Sequence, residues 1–454
     1  MAQVRATAGG RDVEYWLIEF DKHGNEVLES GGLGSEEMLE ALGRSTATDV
    51  VLLSHGWNSS WEGAQHQYTA WVSAFLRGRP REDPRPFRPF FVGVHWPSLA
   101  FAPTRIERDT MKTLSASRAT APPDSSESLD TSEPVTVDEA IDAYARLLGD
   151  TTAIREALRK VLVAEATGTP LESSPAGREG LRELQEATFL VEPPLPSDDD
   201  EDVAFAEVVS GSVLPVLGGN SPAKLLGLPL VALRQFSFWK MKQRAYTIGA
   251  AGVAPLLNEL QRAAGENARV HVVGHSFGCI VVGGAVLAEG RGPTKAVGSV
   301  LLVQGALSLW VLADDAYGTG RRGRFRPLRD RRFVDGPIVT SQSSWDYALA
   351  RFYPAGVRAA VWTPGGPDHL VLGNRKKVPK WGALGTFGAQ GARTQDLRLR
   401  DVSDDTHFDR GVIYNVECDD VIDDVEGGGW GGAHNDIAHA SIGRLWWATA
   451  LSAT

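Results

Sequence analysis

The chain of 454 residues contains only two cysteines, Cys279 and Cys418, and both lie in apolar or strand-like stretches. So few cysteines exclude the disulfide framework of a small secreted domain. Residues 1–12 lack the apolar core of a signal peptide, and no uninterrupted apolar run is long enough to cross a bilayer. We therefore expect a cytoplasmic protein without a transmembrane segment.

The chain also lacks an excess of positive charge. Its formal net charge is −11 at pH 7, whereas a general nucleic-acid binder needs a basic face for the phosphates. We therefore expect no nucleic-acid partner. Hydrophobic residues form 43 % of the chain, which is enough for a large core. The length exceeds one average domain but fits a single α/β enzyme with an insertion.

The most informative stretch is a β-branched apolar run that ends in a glycine-rich turn. Residues 270–273 precede Gly274-His275-Ser276-Phe277-Gly278, and small or apolar residues follow at 279–286. This pattern predicts a buried strand, a tight turn and a buried helix. It matches the G-x-S-x-G motif, in which a serine occupies a strained turn, and its glycines are expected where strand and helix leave no room for a Cβ. Ser276 is therefore the candidate nucleophile; the alternative is a glycine-rich turn with a bystander serine.

Other short apolar runs predict the rest of a mostly parallel sheet. The predicted strands are residues 13–20, 49–54, 90–94, 297–303, 337–340 and 411–416, with residues 26–28 as a hairpin partner of the first. Helical spacing of apolar residues predicts helices at 61–76, 242–264 and 437–450. Strands that alternate with helices indicate an α/β fold whose sheet is covered on both faces.

Residues 97–240 interrupt this alternation. Residues 119–134 and 191–202 are rich in proline, serine and acidic residues, so we expect solvated linkers there. The acidic run lacks the glycine and ligand spacing of a calcium loop. Helical patterning between the linkers, at 137–166 and 178–190, predicts a helical insertion or cap. The predicted division is 1–96 and 241–454 for the core and 97–240 for the insertion.

Two further segments each have two interpretations. Residues 212–239 are apolar but interrupted by prolines, which indicates either packing of the cap over the core or a lid that contacts lipid. Peripheral membrane contact is therefore an open alternative. Residues 318–333 contain seven arginines. They form either a solvated loop or an anion-binding rim.

A serine nucleophile needs a histidine base, which in turn needs a carboxylate to fix its tautomer. In open α/β sheets such groups gather at the carboxyl ends of strands. Asp346 follows the predicted strand 337–340, and it can also cap the helix-like run after it. Asp314 and Asp315 follow an earlier strand, and Asp368 lies in a Gly/Pro turn. Asp346 is therefore the predicted acid.

The histidines that follow Asp346 are His369, His407, His434 and His439. His369 adjoins a turn, and His407 precedes the last predicted strand at the wrong end. His434 lies between that strand and the terminal helix, so it is the predicted base. His439, predicted one turn into the helix, is the alternative. The order serine, acid, histidine agrees with the order expected for the motif.

An oxyanion needs two preorganised donors. The N–H of Phe277, directly after the nucleophile, is one candidate. The turn His55-Gly56-Trp57 follows a strand that should neighbour the strand before Ser276, so the N–H of Trp57 is the other candidate. Gly56 permits close approach, and His55 is interpreted as a structural hydrogen-bonding residue rather than a second base.

Together these motifs resemble the α/β-hydrolase superfamily, particularly its lipase- and esterase-like serine hydrolases. The matching residues are His55-Gly56-Trp57-Asn58, His95-Trp96-Pro97-Ser98, Gly274-His275-Ser276-Phe277-Gly278, Ser343-Ser344-Trp345-Asp346 and Ala433-His434-Asn435-Asp436. The resemblance covers the core on both sides of the insertion. It implies an eight-stranded sheet, an acyl-serine intermediate, no cofactor and no metal. The acidic and glycine-rich stretch 419–432 departs from the family pattern.

The expected function is hydrolysis of a small-molecule or lipid ester by Ser276, His434 and Asp346. The same three residues would serve a peptidase, an amidase or a phospholipase. A different class, a non-catalytic scaffold used for binding, would not react with a fluorophosphonate probe, so covalent labelling separates the two classes.

Overall fold

The computed structural model describes residues 2–28, 32–57, 59–82, 85–98, 150–166, 241–266, 268–316, 320–353, 381–426 and 432–453, with a few isolated residues between 138 and 187. Several predictions fall outside the described residues. They concern the linkers 119–134 and 191–202, the segment 212–239, most of the helix 178–190, and Asn58, Asp368 and His369.

Nine strands form one sheet. They are β1 (Gln3–Ala8), β2 (Arg11–Glu19), β3 (Asp49–Ser54), β4 (Pro89–His95), β5 (Arg269–His275), β6 (Ser299–Val303), β7 (Ile338–Gln342), β8 (Thr394–Arg398) and β9 (Ile413–Glu417). The helices used below are α1 (Gly34–Arg44), α2 (Trp61–Arg77), α3 (Thr152–Ala166), α4 (Ala254–Ala264), α5 (Gly278–Val286), α6 (Leu384–Phe387) and α7 (Ala440–Leu451).

The strand order is β1-β2-β4-β3-β5-β6-β7-β9-β8. Only the pair of β1 and β2 is antiparallel, and every other neighbouring pair is parallel. The predicted α/β class with a mostly parallel sheet is therefore confirmed. Because the parallel strands point the same way, the loops after β3, β5, β7 and β9 emerge at one edge of the sheet.

Two of the nine strands were not predicted, and they lie at the two edges of the sheet. Strand β1 (QVRATA) alternates polar and apolar residues and β8 (TQDLR) is mostly polar, and the residues of both strands remain partly or fully exposed. An edge strand buries little surface, so it carries no apolar run to reveal it. Residues 26–28 return only as a bridge between Phe20 and Glu26. The antiparallel partner of β2 is β1.

One face of the sheet is covered by α2 and α7. The ring of Phe75 in α2 lies 4.4 Å from the rings of both Trp446 and Trp447 in α7. The indole N–H of Trp447 donates to the carbonyl of Phe75 at 2.6 Å. Burial of these aromatic rings, with about 0.5–1.5 kcal/mol for each ring pair beyond area burial, fixes the terminal helix against α2.

The other face is covered as well, because side chains on alternate positions of the strands are equally buried. Val50, Leu52 and Val272 face away from the aromatic cluster and are 0 % exposed. Helices α1, α4 and α5 supply the second layer. The predicted helix 242–264 contains a π-helical segment, Ile248–Val253, and a Cβ on Gly249 would overlap the carbonyl of Val281 in α5.

The chain divides into two compact units. The first comprises Met1–Leu99, Ser197–Phe205 and Met241–Thr454, and it contains the sheet. The second comprises Ala100–Pro196 and Ala206–Lys240. Its described part includes α3, whose Ile154 and Leu158 lie in a small apolar cluster.

Candidate active site

The carboxyl ends of β5 and β6 carry backbone conformations that are uncommon for residues other than glycine. Ser276 follows β5 with φ 55°, and Gln304 follows β6 with φ 44°. A left-handed φ costs a residue with a Cβ on the order of 1–2 kcal/mol, so neighbouring contacts must hold these turns. The N–H of Ser276 donates to Val303 O at 3.1 Å, and Ser276 O accepts from the N–H of Ala306 at 3.2 Å.

The two glycines of the G-x-S-x-G motif lie where no Cβ fits. A Cβ on Gly274 would lie 2.6 Å from the nitrogen of Cys279 in α5, and a Cβ on Gly278 would overlap the carbonyl oxygen of Ser54 at the end of β3. The predicted close packing of strand and helix around Ser276 is therefore confirmed.

The structure brings Ser276, His434 and Asp346 together. Nε2 of His434 lies 2.9 Å from Oγ of Ser276, and Nδ1 of His434 lies 2.7 Å from Oδ2 of Asp346. Asp346 follows β7, and His434 belongs to the 3-10 turn Ala433–Asn435 between β9 and α7.

These contacts define the tautomer of His434. An ionised carboxylate only accepts hydrogen bonds, so Nδ1–H donates to Asp346. The lone pair of Nε2 then faces the hydroxyl of Ser276 and can accept its proton. Asp346 is 0 % exposed and Ser276 is 5 % exposed, so water competes little for these hydrogen bonds.

Both carboxylate oxygens of Asp346 have donors. Oδ1 accepts from the N–H of Leu349 at 3.0 Å, and Oδ2 accepts from Nε2 of Gln304 at 3.0 Å in addition to His434. Asp346 therefore has both of the roles considered from the sequence. Its Oδ1 caps the helical turn that follows it, and its Oδ2 contacts His434. Sequence reasoning missed Gln304, although its position directly after a buried strand was visible.

The alternative base, His439, does not contact Ser276. It is the N-cap residue of α7, which begins at Ala440, so its predicted position one turn into the helix is wrong. The chain is still extended at His439, with φ −94° and ψ 147°. Its Nε2 is hydrogen-bonded to Asp436.

The other candidates lie away from Ser276. His407 is exposed in the loop before β9, which is the amino edge of the sheet. Asp314 forms ion pairs with Arg326 at 3.1 Å and with Arg329 at 2.7 Å, and these interactions lower its pKa. Asp315 accepts a hydrogen bond from the N–H of Gly320.

The choice of Trp57 as the second oxyanion donor requires that the strand before it neighbours the strand before Ser276. Strand β3 does adjoin β5, and Ser54 is paired with Gly274 in register. The turn therefore lies beside Ser276. A Cβ on Gly56 would lie 2.6 Å from the Cβ of Ser276. The rings of Trp57 and Phe277 are in contact, with centroids 5.9 Å apart. The backbone segments that carry both candidate oxyanion donors thus flank the serine.

His55 holds the shape of this turn. Its Nδ1–H donates to Gly56 O at 2.8 Å, and its Nε2 accepts from the N–H of Trp96 at 3.3 Å. Burial, with a smaller contribution from the charge of His95, lowers the pKa of His55 to about 3. The imidazole is therefore neutral near pH 7, and both nitrogens are used within the fold.

His275, directly before the nucleophile, is a site residue that sequence reasoning did not single out. Its Nε2–H donates to the main-chain oxygen of His434 at 2.9 Å, and its Nδ1 accepts from Nε2 of Gln67 at 3.2 Å. Burial is the largest cause that lowers its pKa well below the usual value. A neutral His275 thus ties the turn of the base to the turn of the nucleophile.

A second Ser–His–Asp set lies at the amino edge of the sheet. Nδ1 of His271 lies 2.8 Å from Oγ of Ser299, and its Nε2 lies 3.0 Å from Oδ1 of Asp49. Ser299 is 2 % exposed and His271 is 1 % exposed, so no substrate reaches them. Burial opposes ionisation of Asp49, but hydrogen bonds from His271 and Arg85 lower its pKa to about 2. This set links β3, β5 and β6 structurally.

Four of the described arginines between 320 and 333 have carboxylate partners. Arg326 and Arg329 pair with Asp314, Arg331 with Asp335, and Arg332 with Asp330. Their charges are compensated locally, so these four do not present a free cluster for an anion.

Both cysteines are free and buried. Burial raises the pKa of the Cys279 thiol well above its usual value, so a thiolate does not compete with Ser276.

Among the described residues, no group of three or more His, Cys, Asp or Glu side chains is arranged to hold a metal ion. No helix in the described part of the chain is long and apolar enough to cross a membrane.

Comparisons of the chain with protein-family models, with curated proteins and with solved structures give no match. Function is therefore inferred from the chemistry of the site itself, since a general α/β architecture hosts many activities.

Proposed function

We propose that the chain is a serine hydrolase of the α/β-hydrolase superfamily that cleaves carboxylic esters. The observation that carries the proposal is the pair of hydrogen bonds made by His434, at 2.9 Å to Ser276 and 2.7 Å to Asp346. The left-handed backbone of Ser276 and the serine, acid, histidine order at the carboxyl edge of a parallel sheet support the same family.

Acylation begins when Oγ of Ser276 attacks the ester carbonyl carbon and its proton passes to Nε2 of His434. Asp346 keeps the imidazole in the reactive tautomer and stabilises the imidazolium without taking the proton itself. The tetrahedral intermediate then collapses, and the imidazolium protonates the leaving alkoxide. The products of this half-reaction are an alcohol and an acyl ester of Ser276.

The developing oxyanion accepts hydrogen bonds from the N–H groups of Phe277 and Trp57. Removing one such donor typically costs about 10²- to 10³-fold in kcat. Close approach of Gly56 to Ser276, at 2.6 Å for a hypothetical Cβ, supports the position of the second donor. In deacylation, a water molecule gives its proton to Nε2 of His434 and attacks the acyl carbon. When this second tetrahedral intermediate collapses, the imidazolium returns the proton to Oγ of Ser276, which releases a carboxylic acid and restores the free serine.

The test is a pre-steady-state measurement with a p-nitrophenyl ester. The proposal predicts a burst of p-nitrophenol that approaches one equivalent per active site when deacylation is slower than acylation, and no burst in Ser276→Ala. The anilide of the same acid, run in parallel, measures whether an amide is cleaved as well. Faster cleavage of the anilide than of the ester would contradict the proposed substrate class.

A further inference from the structure

Gln304 is a buried glutamine held in an uncommon backbone conformation beside the proposed catalytic acid. It is 0 % exposed and follows β6 with φ 44°. A strained residue of this kind persists only where the surroundings determine it, and such residues cluster at functional sites. A Cβ on Gly385 would lie 2.7 Å from the Cα of Gln304, so the neighbouring chain is closely packed against this turn.

The hydrogen bonds of Gln304 determine which way its amide points. Its main-chain N–H donates to Oγ of Ser341 at 3.0 Å, so the hydroxyl of Ser341 directs its own proton to Oε1 of Gln304, also at 3.0 Å. The amide nitrogen must then face Asp346, whose Oδ2 lies 3.0 Å away. An acceptor-only carboxylate requires the same orientation.

The amide of Gln304 donates to Oδ2 of Asp346, and the same oxygen accepts the hydrogen bond from Nδ1–H of His434. The N–H of Leu349 holds Oδ1 and the amide of Gln304 holds Oδ2, so the carboxylate cannot rotate without losing a buried hydrogen bond. Loss of such a bond leaves a buried donor unpaired, which is unfavourable.

We propose that Gln304, held by Ser341, is a positioning residue that fixes the carboxylate of Asp346 toward Nδ1 of His434. This role rests on the proposed hydrolase function. The side chain of Gln304 is hydrogen-bonded to Asp346 and Ser341, so it acts through Asp346. A misplacement of a catalytic group by about 1 Å, caused by a change away from the chemistry, can cost about 100-fold in rate.

The test compares Gln304→Met with a matched variant, Gln342→Met. Methionine keeps the length and unbranched Cβ of glutamine but donates no hydrogen bond. Gln342 is also a buried glutamine at the end of a strand, 8 % exposed, and its Oε1 has no hydrogen-bond partner among the described residues. The measurements are kcat and KM for a soluble ester, thermal melting, and the proton NMR resonance of Nδ1–H of His434.

The proposal predicts that Gln304→Met lowers kcat by up to about 100-fold, leaves KM within about twofold, and shifts or broadens the Nδ1–H resonance. Gln342→Met should change none of these. Wild-type kcat with an unchanged resonance in Gln304→Met would overturn the proposal. Equal losses in both variants would also overturn it, because they would reflect general packing damage.

Ser341→Ala keeps the test decisive if Gln304→Met does not fold. This variant removes the hydroxyl that orients the amide, and a smaller loss of kcat with the same NMR change is expected. An unchanged rate and resonance would overturn the role of Gln304. A wild-type protein that forms no acyl-enzyme and resists fluorophosphonates would instead overturn the hydrolase function itself.

Discussion

Nδ1 of His434 lies 2.7 Å from Oδ2 of Asp346, although 88 residues separate the two along the chain. The approach follows from the topology. Strands β7 and β9 are parallel neighbours, with Gln342 paired to Glu417 at their carboxyl ends, so the loops that follow them leave the sheet side by side. An isolated bridge between Asp346 and Gly432 joins the two loops.

Replacement of the proposed base should abolish most of the activity. We expect His434→Ala to lower kcat for a p-nitrophenyl ester by about 10⁴-fold or more, because members of a triad act as a unit. His439→Ala is the matched control, since His439 is hydrogen-bonded to Asp436 and not to Ser276. A folded His434→Ala protein of near-normal rate beside an inactive His439→Ala would reverse the assignment.

Replacement of the proposed acid should preserve the fold but not the rate. Asp346→Asn is expected to lower kcat by about 10⁴-fold, because an amide favours the wrong tautomer of His434 and cannot stabilise imidazolium. The control is Asp314→Asn, a competing acid in the sequence that pairs with arginines instead. Turnover is measured for both variants, and circular dichroism checks that both are folded. A larger loss of kcat in Asp314→Asn than in Asp346→Asn would contradict the assignment of Asp346 as the acid.

A methyl group at position 56 should disturb the serine directly. The Cβ of Gly56→Ala would lie 2.6 Å from the Cβ of Ser276, whereas at Gly43 in α1 the nearest atom is 3.9 Å away. We expect Gly56→Ala to lose activity by about 10²-fold or more, comparable with loss of an oxyanion donor. Gly43→Ala should keep full activity. Equal rates for the two variants would argue against the Trp57 turn as part of the site.

The sequence was sufficient to predict the class of the fold and the three residues that meet at its edge, because each lies in a loop that leaves the carboxyl end of a strand. Ser276 follows β5 directly, Asp346 lies just beyond β7, and His434 lies in the loop between β9 and α7. The edge strands β1 and β8 could not be predicted, since they bury too little surface to need apolar residues.

The roles of the supporting residues could not be predicted, although the positions of Gln304 and His275 at the ends of strands are visible in the sequence. Gln304 donates to Oδ2 of Asp346 and His275 donates to the main-chain oxygen of His434. Both partners are distant in the chain, and no periodicity encodes such contacts. The position of His439 was wrong because helix boundaries are the least reliable part of a periodicity argument.

Stability should fall as the pH drops below the ordinary histidine range. Burial lowers the pKa of His55 to about 3 and also lowers the pKa values of His271 and His275. Below about pH 6.5 the unfolded chain therefore binds protons that the folded chain does not, and each histidine contributes up to about 1.4 kcal/mol per pH unit.

We therefore expect the free energy of unfolding to decrease from pH 7 to pH 5. Urea unfolding at pH 7 and at pH 5 measures this difference. His55→Gln should show a shallower pH dependence than the wild type, while a change at the exposed His407, His407→Gln, should leave the slope as it is. Equal stability at pH 7 and pH 5 would contradict the account.

The site of fluorophosphonate attachment, mapped by mass spectrometry of peptides, tests directly whether Ser276 is the nucleophile. The chain offers an internal comparison, because Ser276 and Ser299 each lie within hydrogen-bond distance of a histidine that contacts an aspartate. We expect one adduct, on Ser276, that is lost in Ser276→Ala and retained in Ser299→Ala. Labelling of Ser299, or persistent labelling of Ser276→Ala, would contradict it.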